Sequence, residues 1–160
     1  MRLCITGSVG TGKTTLAKKL AKTLELRYLD VRTIIKEHKL DQEYDKKRKC
    51  SIIDVKKLNK VLLPLPENVI VDSHLSHYLP KKSIDLCIVT RCDLKTLHKR
   101  LEKRKYSENK IKENLEAEIF EVCLQEAQSL HKVLVIDTSK KLNFKEVIKN
   151  IHEALHPRID

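Results

Sequence analysis

The chain is poor in glycine, proline and aromatic side chains. Its 160 residues include three Gly, four Pro and no Trp, and Phe, Trp and Tyr together make up 4%. So few Gly and Pro exclude collagen-like and low-complexity classes. The shortage of aromatics argues against a single-strand RNA reader, which relies on stacking platforms. Apolar runs stop at about five residues, whereas a membrane-spanning helix needs about 20. No apolar stretch follows Met1, so no secretory signal and no membrane association are expected, and the cytoplasm is the expected compartment. The five cysteines include no C-x-x-C pair. Reduced thiols are expected. Cys4 and Cys87 lie inside apolar runs and read as core. Cys50, Cys92 and Cys123 do not form a zinc pattern.

What the chain has is charge and alternation. Apolar residues make up 41% and charged residues 34%, with a formal net charge of +11. Such a field favours anionic partners without specifying which. Short apolar runs at Arg2 to Thr6, Arg27 to Asp30, Val69 to Val71, Leu86 to Thr90 and Val133 to Ile136 read as five strands. Helical stripes lie between them: Leu16, Ala17, Leu20, Ala21 and Leu24; Leu94, Leu97 and Leu101; Ile111, Leu115, Ile119 and Val122. Phe144, Val147, Ile148, Ile151 and Leu155 mark a closing helix, stopped before Pro157. A polar, helix-compatible stretch runs from the second strand to about Lys60 and contains the charge run Asp45 to Lys49. Strands alternating with helices predict an α/β fold with a mainly parallel sheet and helices on both faces. Residues 1–160 read as one domain.

All three glycines fall in one octapeptide, Gly7-Ser8-Val9-Gly10-Thr11-Gly12-Lys13-Thr14. It follows a strand and opens an amphipathic helix, the setting in which G-x-x-x-x-G-K-[ST] binds nucleotide phosphates. Its backbone N–H groups can turn inward around phosphate oxygens, and the helix N-terminus adds positive potential. Lys13 can reach the β- and γ-phosphates, and the Thr14 hydroxyl can hold Mg²⁺. The pattern therefore predicts ATP as substrate, with Mg²⁺ as its companion ion.

Asp72 ends the run Val69-Ile70-Val71, so it projects beyond the carboxyl edge of the sheet, where ligands bind in open α/β folds. It is the candidate for the Mg²⁺ shell, with a plain strand-end cap as the rival reading. His74 lies two residues on and can orient a water or sense the γ-phosphate; a packing role is the alternative. Residues 91–112 carry nine basic and three acidic side chains. Most read as a solvated helix face. Arg104 stands where the helix should break into a loop, and an arginine there can close on transferring phosphate.

Several segments resemble the adenylate kinase 6 family. They are Ile5 to Thr15, Val71-Asp72-Ser73-His74, Arg100 to Ser107 and Asn114 to Glu118. The tract His74 to Leu79 is more similar to archaeal members than to eukaryotic ones. The resemblance implies a P-loop NTPase fold of nucleoside-monophosphate-kinase type: a five-stranded parallel sheet flanked by helices, with a short lid. It implies an NMP-binding region over about 30–53 and a lid over about 103–113. Gly10, Gly12, Lys13, Thr14, Thr15 and Arg104 match the family's ATP contacts, and the loop Thr138 to Lys141, with Lys140, is implied to lie against adenine. Two positions depart from the pattern. Lys36 stands where the family carries an NMP-binding arginine, and Lys105 stands where the lid carries a glycine.

The expected activity is Mg²⁺-dependent transfer of the ATP γ-phosphoryl group to AMP, and slowly to water. Lys13, Asp72, His74 and Arg104 are the catalytic candidates, and Thr14 and Asp72 the metal ligands. The resemblance further implies a role in small-ribosomal-subunit maturation, with a platform ribosomal protein and pre-rRNA as partners of a chain that is monomeric when free. The alternatives are an ATPase switch acting on such a partner, or a kinase for another small acceptor.

Overall fold

The alternation of runs and stripes becomes one parallel sheet sandwiched by helices. A computed structural model describes residues 1–41, 43–45 and 50–157. β1 (Arg2–Thr6) leads through the glycine loop to α1 (Lys13–Thr23). β2 (Arg27–Asp30) runs straight into α2 (Val31–Glu37). A short antiparallel ribbon, β3 (Glu43–Asp45) and β4 (Cys50–Ile52), precedes α3 (Val55–Leu62). β5 (Val69–Asp72) is followed by two 3₁₀ turns, at Ser76–Tyr78 and Lys81–Ser83. β6 (Leu86–Arg91), α4 (Leu94–Lys103), α5 (Glu108–Ile119), α6 (Val122–Leu130), β7 (Val133–Asp137) and α7 (Phe144–Leu155) complete the chain. The main sheet has the order β2-β5-β1-β6-β7, with every pairing parallel. Among the described residues no helix is long and apolar enough to cross a membrane.

Period-two alternation divides the sheet's side chains between two cores. Leu3, Ile5, Ile70, Leu86 and Ile88 point to one face, where Leu16, Leu20, Val147 and Ile151 of α1 and α7 cover them. Cys4, Val69, Val71, Cys87 and Val89 point to the other, under Leu58 and Leu62 of α3 and Leu124 and Ala127 of α6. Cys4 and Cys87 are fully buried, as their apolar neighbours predicted. A third, smaller cluster joins Leu97 and Leu101 of α4 to Ile111 of α5, with Val9 of the glycine loop packed on it. The loop thus rests on an apolar bed.

Three expectations about the helical stretches need correction. The stretch from Asp30 to Lys60 is not one helical region. Asp30 caps α2 by accepting from the Arg32 N–H, and Asp54 caps α3 by accepting from the Lys56 and Lys57 N–H groups. The ribbon lies between the two helices; of the charge run, Lys46 to Lys49 lie outside the described residues. The acidic stripe ending at Val122 is two helices. Its continuity breaks at Phe120 and Glu121, where Glu121 adopts φ +52°, and Ile119 and Val122 are exposed. Leu94 is also exposed, so the buried face of α4 is Leu97 and Leu101. The segment expected as a lid is the end of α4, a turn over residues 104–107 and the first half of α5.

That turn is a Schellman closure. The Lys105 N–H donates to the Glu102 carbonyl at 2.8 Å, and the Tyr106 N–H to the Leu101 carbonyl at 3.4 Å. Lys105 occupies the left-handed position with φ +56°, a conformation that costs an L-residue about 1–2 kcal/mol and glycine little. Part of that gain is offset by glycine's greater freedom in the unfolded chain. Lys105→Gly should therefore stabilise the protein by about 0.5–1 kcal/mol and raise Tm by about 1–4 °C. A thermal melt checks this; an unchanged or lowered Tm contradicts it.

Candidate active site

Three strand ends meet at the carboxyl edge of the sheet. β1 delivers the glycine loop, β5 delivers Asp72 and β6 delivers Thr90. Gly7 turns away from β1 at φ +138°, and a Cβ there would sit 2.5 Å from both the carbonyl and the hydroxyl oxygen of Thr90. No side chain fits. The Thr90 hydroxyl pairs with that of Thr11 at 2.7 Å, locking the loop to β6. Gly12 is left-handed at φ +85° and starts α1 without a side-chain cap. The first N–H groups of an 11-residue helix therefore face the cleft without an intrahelical partner.

Lys13 folds back over the loop, its Nζ donating to the Gly7 and Ser8 carbonyls at 2.8 Å each. Burial pushes its pKa down to about 8, and the Arg104 guanidinium adds to that; Cys123, Asp72 and Glu118 pull the other way. Asp72 is buried and accepts a 2.8 Å hydrogen bond from the Tyr28 hydroxyl. Burial and this bond raise the Tyr28 pKa, so Tyr28 remains a donor at neutral pH. The His74 carbonyl is held by the Thr6 hydroxyl at 3.3 Å, and its ring stands at the cleft mouth, open to solvent on one side. Desolvation by the cleft wall lowers its pKa, with the Lys13 charge as the second cause, so the ring is neutral at pH 7.

Lys13, Asp72 and His74 line a cleft of about 250 Å³ with Gly10, Gly12, Thr14, Thr15, Arg104 and Arg32. Two further cavities adjoin it. One, of about 530 Å³, shares Gly10, Gly12, Thr15 and Arg104 with the cleft and adds Thr138, Lys140, Leu142 and Phe144. The other, of about 640 Å³, shares Arg32 and His74 with the cleft and adds Asp30, Lys36, Asp41 and Ile53. The structure thus brings Lys13, Thr14, Asp72, His74 and Arg104 to one cleft, and sets Lys140 and Lys36 in the cavities on either side. Thr14 and Asp72 offer hard oxygen donors within the same cleft, a donor set that suits Mg²⁺ beside phosphate.

Three side chains at or beside the cleft carry no reading from the sequence, Arg100, Tyr28 and Arg32, and Thr138 is read there only as the start of the adenine loop. Arg100 donates to the Gly10 carbonyl at 3.3 Å and, through both terminal nitrogens, to the Thr138 hydroxyl at 3.1 Å and carbonyl at 2.6 Å. The Thr138 hydroxyl in turn donates to the Thr11 carbonyl at 2.6 Å. Arg100 therefore ties the phosphate loop to the loop after β7. Its sequence signal is its place beside Leu101 and three residues after Leu97, on the flank of the buried face of α4.

A glycine loop between a first strand and a helix, an acidic neighbouring strand end and a ring of cations define a P-loop NTPase of the kinase type. A family model described as an AAA domain matches residues 3–121. A Methanocaldococcus jannaschii protein bearing an adenylate kinase name is 38% identical over 158 residues, covering 97% of this chain and 86% of that protein. The adenylate kinase isoenzyme 6 homolog of Schizosaccharomyces pombe is 41% identical over 128 residues, covering 79% of this chain and 73% of that protein. Among solved structures, shikimate kinase from Acinetobacter baumannii in complex with shikimate superposes with a TM-score of 0.64 at 14% identity, covering 95% of this chain and 90% of that one. The chain belongs to the AAA domain family and, at finer grain, to the adenylate kinase isoenzyme 6 family of nucleoside monophosphate kinases.

The depressed Lys13 pKa gives a signed prediction. Near pH 8 about half of the free protein carries a neutral Lys13. Phosphate oxygens favour the ammonium, so ATP binding at pH 8 should take up as much as about half a proton from this side chain. At pH 6.5 Lys13 is already charged and should contribute no uptake. Calorimetry in buffers of different ionisation enthalpy measures this. Heats at pH 8 independent of buffer, or an uptake that survives Lys13→Ala, would contradict it.

Proposed function

We propose that the protein is a Mg²⁺-dependent ATP:AMP phosphotransferase with slow ATPase activity, working as a single-domain monomer in the cytoplasm. The observation that carries this reading is the arrangement of three adjoining cavities, with the phosphate cleft in the middle. A cavity on each side of one phosphate loop suits two nucleotides that share a transferring group. Adenine of ATP lies in the cavity formed by Thr138, Lys140, Leu142 and Phe144. The loop amides and Lys13 hold the β- and γ-phosphates, and Arg104, at the turn between α4 and α5, neutralises charge that develops during transfer. AMP enters the third cavity, with Lys36 on its wall. Thr14 and Asp72 would hold Mg²⁺, which supplies charge neutralisation between the β- and γ-phosphates. No covalent intermediate is required: the AMP phosphate oxygen attacks the γ-phosphorus as the bond to the β,γ-bridging oxygen breaks.

The family resemblance supports a setting in small-ribosomal-subunit maturation, with a platform ribosomal protein and pre-rRNA as partners. The exposed Lys95, Lys99 and Lys112 of α4 and α5 line none of the three cavities and give a polyanion such as pre-rRNA an encounter surface. A second reading, an ATPase switch acting on such a partner, is favoured by one observation: His74 lines the phosphate cleft, where its ring can orient water.

ADP formation measured with AMP, CMP, UMP, dAMP and no acceptor tests the proposal. AMP should accelerate it most; equal rates with and without any monophosphate would favour the switch. Asp72→Asn should lower transfer and hydrolysis together by roughly 10²–10³-fold. His74→Ala should lower hydrolysis on the order of 10²-fold and transfer to AMP by clearly less. Equal losses would reduce His74 to shaping the site.

A further inference from the structure

The acceptor side departs from the family pattern at Lys36, where an ammonium replaces a guanidinium fork. Lys36 is exposed, and it lines the third cavity without reaching the wall of the phosphate cleft. Arg32 lies four residues earlier on α2, so the two share a helical face, with Arg32 about 6 Å nearer the helix start. Unlike Lys36, Arg32 lines both spaces, facing Thr14, Asp72 and Arg104 in the cleft. A phosphate at the junction of the two meets Arg32 and His74, the residues they share.

The guanidinium is already oriented. Its Nε and Nη2 donate to the two Asp30 carboxylate oxygens at 3.1 and 2.9 Å, and the Arg32 backbone N–H donates to the same carboxylate at 2.9 Å. Asp30 ends β2 in register with Asp72. Two of the five guanidinium N–H donors are thereby used, which leaves the Nη1 edge for a second oxyanion. The Arg32 side chain is 68% exposed. An exposed ion pair of this kind contributes little to folding, so stability does not account for its position.

We infer that Arg32, rather than Lys36, supplies the bidentate fork that orients the acceptor's phosphate where the third cavity meets the phosphate cleft. The inference rests on the phosphotransferase reading above. Asp30 presents the fork in advance, and Lys36 acts one turn further out as a point charge.

The test is initial rates of ADP formation with AMP varied at saturating ATP, and with ATP varied at saturating AMP. The proteins are the wild type, Arg32→Ala, Lys36→Ala and the double variant Arg32→Ala/Lys36→Arg. Arg32→Ala should raise the KM for AMP roughly 10–100-fold, as expected for losing a charge-assisted bidentate contact. The rise should exceed that in Lys36→Ala, and the KM for ATP should move far less. The double variant, which shifts the fork one turn along the same face, should recover part of the loss. A KM for AMP that is unchanged in Arg32→Ala, rises no more than that for ATP, or rises more in Lys36→Ala overturns the assignment and leaves phosphotransfer standing. A wild-type rate indifferent to AMP overturns both.

Discussion

The site depends on the parallel pairing of β1 with β5 on one side and β6 on the other. Ile5 is in register with Asp72, and Thr6 with Val89. This register delivers three strand ends to one edge at the same height: the start of the glycine loop, the acidic residue and Thr90. The Ser73 N–H continues the ladder to the Ile5 carbonyl at 3.2 Å, so the chain leaving β5 stays beside the loop. The Thr6 hydroxyl lies 3.3 Å from the His74 carbonyl and pairs at 2.7 Å with Nδ1 of the fully buried His77. A slip of one residue would turn each of these side chains to the opposite face.

The basic surplus over residues 91–112 divides between architecture and chemistry. Arg91 is held by Glu118 at 2.7 Å and Glu121 at 2.5 Å, and the same Glu118 carboxylate accepts the Cys92 N–H at 3.1 Å. Glu118 is 2% exposed, and a buried carboxylate is tolerable only when paired and hydrogen-bonded in this way. Removing Arg91 would leave it uncompensated. Arg100 joins the phosphate loop to the loop after β7. Arg104, next after α4 ends, is the arginine of this segment that faces the cleft, and Lys95, Lys99, Lys105 and Lys112 are solvated. A single run of positive charge in the sequence thus serves three physical purposes.

What was legible followed from contiguity. The five strands are apolar runs, the glycine loop gathers every glycine into one octapeptide, and Asp72 follows directly on three β-branched residues. What was not legible depends on long-range pairing or on missing punctuation. With its glycines spent in one loop, the chain closes other turns with side chains at left-handed φ: Glu25, Lys39, Asn68, Lys105 and Glu121. Glu121 carries no composition signal, so the helix break there was read as one continuous stripe. The ribbon of β3 and β4 is only three residues per strand, too short for alternation to show. Arg32 and Arg100 look like any other basic residue until α2 and α4 are placed against the cleft.

In the proposed phosphotransferase, donor, transfer and acceptor spaces adjoin in one chain. Diadenosine pentaphosphate, which joins two adenosines through five phosphates, tests this most directly when its binding is measured by calorimetry and in competition with each nucleotide. One molecule should bind per chain, displacing ATP and AMP together. Displacement of ATP while AMP still binds would contradict it.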